Sequence, residues 1–140
     1  MQPPIRSDGM ENKIDLLKQE HVAILDALKE ARRIGLGTES GRQKLLEAKE
    51  LFRAHLHHEE EQIYAELRAN PATRDIAKRF HGDMQMLAPT LADFFKTHIE
   101  DGTGETGSSD LGQLLGLLQA RFSKEEYLLY PTAVRGQTAA

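Results

Sequence analysis

Ala54-His55-Leu56-His57-His58-Glu59-Glu60-Glu61-Gln62-Ile63-Tyr64 holds three of the chain's six histidines within four positions, followed at once by three glutamates. Apolar residues at helical spacing run through it on both sides, with Leu45, Leu46, Leu51, Phe52 and Leu56 on one and Ile63 and Leu67 on the other. The stretch therefore reads as the middle of a long helix. Residues four apart share a helix face, which pairs His55 with Glu59 and His57 with Glu61. An imidazole and a carboxylate on one inward face are nitrogen and oxygen donors of the kind a transition metal takes inside a helical bundle.

Outward from this helix the pattern stays helical. Ile14, Leu16, Leu17, His21, Ile24, Leu25 and Leu28 form a stripe from about Asn12 that Gly35 and Gly37 end. Thr38-Glu39-Ser40-Gly41 offers a cap for the second helix. Asn70-Pro71 stops it and opens a third with Ile76, Phe80, Met84, Leu87, Leu91, Phe94, Phe95 and Ile99, kinked at Pro89. The Gly/Ser/Thr-rich, acidic segment Asp101 to Asp110 reads as a mobile loop. A fourth helix carries Leu111, Leu114, Leu115, Leu118, Phe122, Tyr127 and Leu129 and ends at Pro131. Residues 1–11, with Pro3, Pro4 and Gly9, read as a disordered leader, and residues 133–140 as a frayed tail. No segment reads as a strand. Short connections make neighbouring helices antiparallel, so the expected fold is all-α, an up-down-up-down antiparallel four-helix bundle over residues 12–132.

Composition narrows the chemistry. The 140 residues suit one compact domain. A net charge of −4 gives no reason to expect nucleic acid or an anionic membrane as partner. No apolar run approaches the roughly 20 residues of a membrane span, and Met1 to Arg6 lacks the apolar core of a secretion signal; a cytoplasmic location is the default expectation. Without cysteine there are no disulfides and no thiolate ligands. Any metal must be held by His, Asp and Glu.

Each helical residue rises about 1.5 Å, which allows a height comparison along the bundle. His21, His55, Glu59, His81, Arg121 and Glu125 fall in one slab roughly 9 to 21 Å above the end where the first helix starts. His98 stands about 25 Å above His81 and is expected at the surface or a helix end. A weak internal repeat, E-E-x-x-[I/L]-Y, relates Glu59–Tyr64 to Glu125–Tyr130. Each helix thus aims a potential ligand at one core region: His21, His55 with Glu59, His81, and Glu125. A Glu125 facing the core is costly unless a metal or Arg121 compensates it. His57 and Glu61 share the polar face of Arg53 and Glu60 and are expected in water. Tyr64 and Tyr130 read as core or rim residues.

His21, His55-x-x-x-Glu59, His81 and Glu125-Glu126-x-x-x-Tyr130-Pro131 together resemble the hemerythrin-like, or HHE cation-binding, family over roughly residues 12 to 132. The resemblance implies a non-haem di-iron centre in which His21 and His55 ligate one metal, Glu59 and Glu125 bridge, and His81 serves the second. It implies binding or sensing of O2, or of a related small ligand such as NO, without turnover of an organic substrate. Two other roles are open to such a chain: a di-iron enzyme acting on peroxide or nitric oxide or repairing iron centres, or a degenerate bundle with one metal or none that acts through a protein partner. Two positions depart from the family pattern. Arg121 stands where a histidine usually precedes the last carboxylate by four residues, and Ala77 where one often precedes the third-helix ligand by one turn. Both departures fall on the second metal.

Overall fold

The computed structural model describes residues 5–102 and 107–138. Four long helical rods make up the described residues, and there is no strand among them. The first rod is α1 (Ile5–Ile34). The second is α2 (Glu39–Glu59) continued by a π-helical turn (Glu60–Tyr64) into α3 (Ala65–Ala69). The third is α4 (Arg74–Phe95) with a terminal π turn (Lys96–Asp101). The fourth is α5 (Gly107–Lys124) continued by a π turn (Glu125–Leu129) into α6 (Tyr130–Thr138). Backbone angles at the junctions Glu60, Ala65, Lys96 and Tyr130 stay right-handed helical, so each rod is continuous across its π turn. Both halves of the E-E-x-x-[I/L]-Y repeat thus contain a five-residue π turn, set one residue later in the first half than in the second.

The rods pack as a four-helix bundle with two apolar clusters. One holds Ile24, Leu28, Leu45, Phe52, Leu91, Phe95, Leu111, Leu118 and Phe122. The other holds Met10, Ile14, Leu17, Ile63, Leu67, Ala77, Phe80, Leu129 and Ala133. Along the chain the first rod passes from the second cluster to the first, the next returns, and the following two repeat the alternation. No helix is long and apolar enough to cross a membrane among the described residues.

Tight connections fix the rods. Gly35, with φ at +111°, takes a left-handed conformation that ends α1. Thr38 accepts from the Gly41 amide at 3.0 Å as the cap of α2, a contact worth about 1 kcal/mol. A Cβ on Gly41 would lie 1.8 Å from the Gly35 carbonyl oxygen, so only glycine fits that turn.

Several boundaries differ from those read in the sequence. Of the expected leader, residues 1–4 lie outside the described residues and 5–11 belong to α1. Met10 is buried there, extending the Ile14–Leu17 stripe by another turn. Of the expected tail, residues 133–138 continue α6, with Ala133 buried, and 139–140 lie outside the described residues. Pro131 does not end the fourth rod; it lies two residues past the π turn, and α6 continues through it to Thr138. Pro71 precedes its helix rather than opening it. Thr73 donates to the Leu67 carbonyl at 2.8 Å, and α4 starts at Arg74. Of the expected 101–110 loop, 103–106 lie outside the described residues and Gly107–Asp110 are already helical. His98 stands at a helix end, in the terminal turn of the third rod, as one of its two expected places had it, but it is buried at 2% exposure rather than at the surface. It packs 4.6 Å from the Phe94 ring and lies 3.2 Å from an Asp110 carboxylate oxygen.

Candidate metal centre

Between the two apolar clusters lies a polar layer. His21 comes from α1, His55 and Glu59 from the last two turns of α2, Arg121 from α5, and Glu125 from the π turn that follows it. All five are buried. The donor atoms of His21, His55, Glu59 and Glu125 lie within 4.8 Å of one another. The two π turns start at or just after the two glutamates. A π turn widens the helix locally and is frequent at functional sites.

The Nε2 atoms of His21 and His55 face each other at 3.1 Å. A carboxylate oxygen of Glu125 lies 2.8 Å from His21 Nε2 and 3.7 Å from His55 Nε2. Glu59 Oε2 lies 3.5 Å from His55 Nε2. Each imidazole is also held from behind. His21 Nδ1 meets Glu126 Oε2 at 2.6 Å, and His55 Nδ1 meets Glu20 Oε1 at 2.7 Å. An ionised carboxylate only accepts, so both Nδ1 atoms carry hydrogen and both Nε2 atoms turn to the centre. The face of His21 stacks on Phe122, with centroids 3.9 Å apart and planes 9° apart, which locks that ring as well. Tyr130 donates from its hydroxyl to Glu59 Oε2 at 2.6 Å.

This donor set fits one cation. Donors held about 2.0–2.2 Å from one ion stand up to roughly 4.4 Å apart, so the set needs to contract by only a few tenths of an ångström. Glu59 Oε1 is buried and has no hydrogen-bond partner among the described residues. A buried polar atom without a partner is costly, and an ion at the centre would satisfy it. Two imidazoles and two carboxylates suit a borderline divalent or trivalent transition metal.

Burial and the layer's own charges shift its titrating groups. Burial works against a charged imidazole at His55, yet Glu125 and Glu59 outweigh it and raise its pKa to about 10. Burial likewise pushes the Glu59 carboxyl up. At Glu125 burial opposes ionisation, but hydrogen bonds from His21 and His55 and the charge of Arg121 hold it well below the usual carboxylate range.

Of the five sequence candidates, the structure brings four together. His81 is not among them. It is half-buried on α4, its ring edge-on to Tyr64 with centroids 6.0 Å apart. The volume toward α4 is taken by Arg121, whose Nε donates to Glu125 Oε2 at 2.9 Å. Its Nη2 donates to the Tyr64 hydroxyl and the Phe80 carbonyl, both at 3.0 Å. His57 and Glu61 lie 3.1 Å apart on the exposed face, as their polar neighbours indicated. His57→Ala therefore leaves metal binding unchanged and shifts stability by less than about 0.5 kcal/mol; a loss of bound metal in that variant would contradict the assignment.

Glu20, Glu126 and Phe122 are given no role at the site by the sequence reading, and Tyr130 is read there as a core or rim residue. The one signal for the two glutamates is adjacency, since Glu20 precedes His21 and Glu126 follows Glu125. Glu20→Gln should weaken metal binding about 10- to 100-fold without unfolding the chain, because outer carboxylates fix ligand tautomer and basicity. Metal titration of the variant against the parent measures it, and equal affinities would refute the role. Glu20 also meets His58 Nδ1 at 2.6 Å.

A family model described as the Hemerythrin HHE cation binding domain matches residues 12–133. No curated protein and no solved structure was found to match the chain.

Proposed function

Because the chain belongs to the hemerythrin HHE cation-binding domain family, we propose that it is a non-haem iron protein that binds or senses O2 or a related small oxidant. The observation that carries this reading is the convergence of His21, His55, Glu59 and Glu125 in a buried layer with one orphaned carboxylate oxygen. These four residues would hold the metal, and Glu20 and Glu126 would orient its imidazoles. When bound, the metal supplies a redox-active centre to which a diatomic ligand can add. Four protein donors leave room for such a ligand. The layer's burial favours a small ligand over an organic substrate, since no ligating residue exceeds 2% exposure.

The chain's own groups would handle protons and charge. Tyr130 places a hydroxyl donor 2.6 Å from Glu59 Oε2 and 3.2 Å from His21 Nε2, at the edge of the donor cluster. Phe122 and the two apolar clusters keep bulk water out. The test is purification from iron-supplemented cells, followed by metal analysis and absorption spectra with and without O2 or NO. Bound iron with a spectrum that responds reversibly to either gas supports the reading. A chain that takes up no metal would sink it. Consumption of peroxide or nitric oxide at many equivalents per iron would move the assignment to an enzyme.

A further inference from the structure

We propose that Arg121 occupies the place of a second metal ion, so that this chain holds one ion per bundle with a guanidinium as its fixed neighbour. The inference rests on the metal-binding reading above and deepens it.

The geometry of Glu125 is its first support. One carboxylate oxygen faces the two histidines, 2.8 Å from His21 Nε2. The other accepts from Arg121 Nε at 2.9 Å. The carboxylate therefore bridges two positive positions, as it would bridge two metal ions, but the second position is filled covalently by the chain.

The anchoring of the guanidinium is the second. Its Nη2 reaches the Tyr64 hydroxyl and the Phe80 carbonyl, both at 3.0 Å, and its carbon lies 5.1 Å from the Phe80 ring centroid. These contacts come from two other rods and leave Arg121 only 7% exposed. A residue that merely reached in from the rim would not be fixed by two neighbouring helices at once. An ion ligated by Glu125 Oε2 would sit against a cation that stays charged at any working pH, and it would break a buried charge-assisted hydrogen bond to get there.

The ligand supply is the third. Ala77 is fully buried and offers no donor, and the His81 ring leans on Tyr64 outside the donor cluster. Among the described residues, a second ion would find no unshared histidine or carboxylate in the donor cluster. The rod that could have served it contributes a backbone carbonyl, and that carbonyl is spent on Arg121.

Anaerobic titration of the full chain with ferrous iron, followed by oxidation in air and EPR, tests the proposal. We expect saturation at one tightly bound ion per chain and the EPR signal of an isolated high-spin ferric ion. Saturation at two, with the signal lost to spin coupling between paired ferric ions, overturns the single-ion inference and leaves the metal-binding reading intact. Saturation at none overturns both. The combined variant Arg121→His, Ala77→His is expected to take up a second ion and lose the isolated ferric signal. If that variant folds with the parent's helical content and still stops at one ion, Arg121 is not what excludes the second. Arg121→Lys keeps the charge and is expected to stay at one, and uptake of a second ion by it would count against the proposal.

Discussion

Arg121→Met lowers the stability of the ion-free chain by about 3–5 kcal/mol, the range for removing one partner of a buried ion pair. In a domain of this size that is a fall of roughly 10–15 °C in Tm. The loss comes from what remains rather than from the bond removed. Glu125 stays buried with one oxygen unpaired, and the Phe80 carbonyl and the Tyr64 hydroxyl lose a donor. The pH dependence separates this from a packing defect. In the parent the carboxyl of Glu125 sits below its ordinary value of 4.5. It therefore contributes stability that is present above that value and fades as pH falls through its lower folded value. The gap between variant and parent should be full at neutral pH and narrow in acid. Melts across pH measure it, and a pH-independent gap or one below about 1 kcal/mol would refute the role given to this pair.

His55→Ala is expected to weaken metal binding by more than about a hundredfold. Apparent site energies of about 10–16 kcal/mol spread over four ligands give roughly 3 kcal/mol each, and each 1.4 kcal/mol is tenfold. The variant should also flatten the pH profile. In the parent, His55 would have to release a proton to ligate an ion, from an imidazole whose pKa is raised to about 10. Raising the pH toward that value removes the competing proton, so apparent affinity climbs about tenfold per pH unit for each proton released. In the ion-free chain the same proton stabilises the fold below the unfolded value of 6.5, and that contribution is lost as pH rises through the folded value. Competition titrations at several pH values check both statements, and an equal slope in parent and variant would assign the displaced proton elsewhere.

The fold was legible because its signals are periodic and local. Stripes such as Ile14–Leu17–Ile24–Leu28 and Leu45–Phe52–Leu67 follow helical spacing, and Gly35 and Thr38 punctuate them with known chemistry. Rise per residue was enough to put His21, His55, Glu59, Arg121 and Glu125 at one level. It says nothing of azimuth on the third rod, and there the reading of His81 as a ligand meets a ring turned toward Tyr64. Height set His98 apart from the site and left a surface or a helix end open; it is at the helix end yet buried, since distance from the site does not imply distance from the core. Pairings between rods were beyond reach as well. That Glu126 serves His21 and Glu20 serves His55 depends on which helix neighbours which, and a single sequence does not contain that.

The π turns at Glu60–Tyr64 and Glu125–Leu129 have a consequence for how these helices could change length. A π turn accommodates one residue more than an ordinary helical turn, which makes each equivalent to a single-residue insertion absorbed within one turn. Removing one exposed residue there, such as Glu61, would let that turn relax to regular helix while Ile63, Leu67 and the residues beyond keep their phase. Such a shortening is better tolerated than one in a regular turn, where every later side chain would swing by about 100° around the axis. What it would disturb is the aim of the glutamate at the head of the turn.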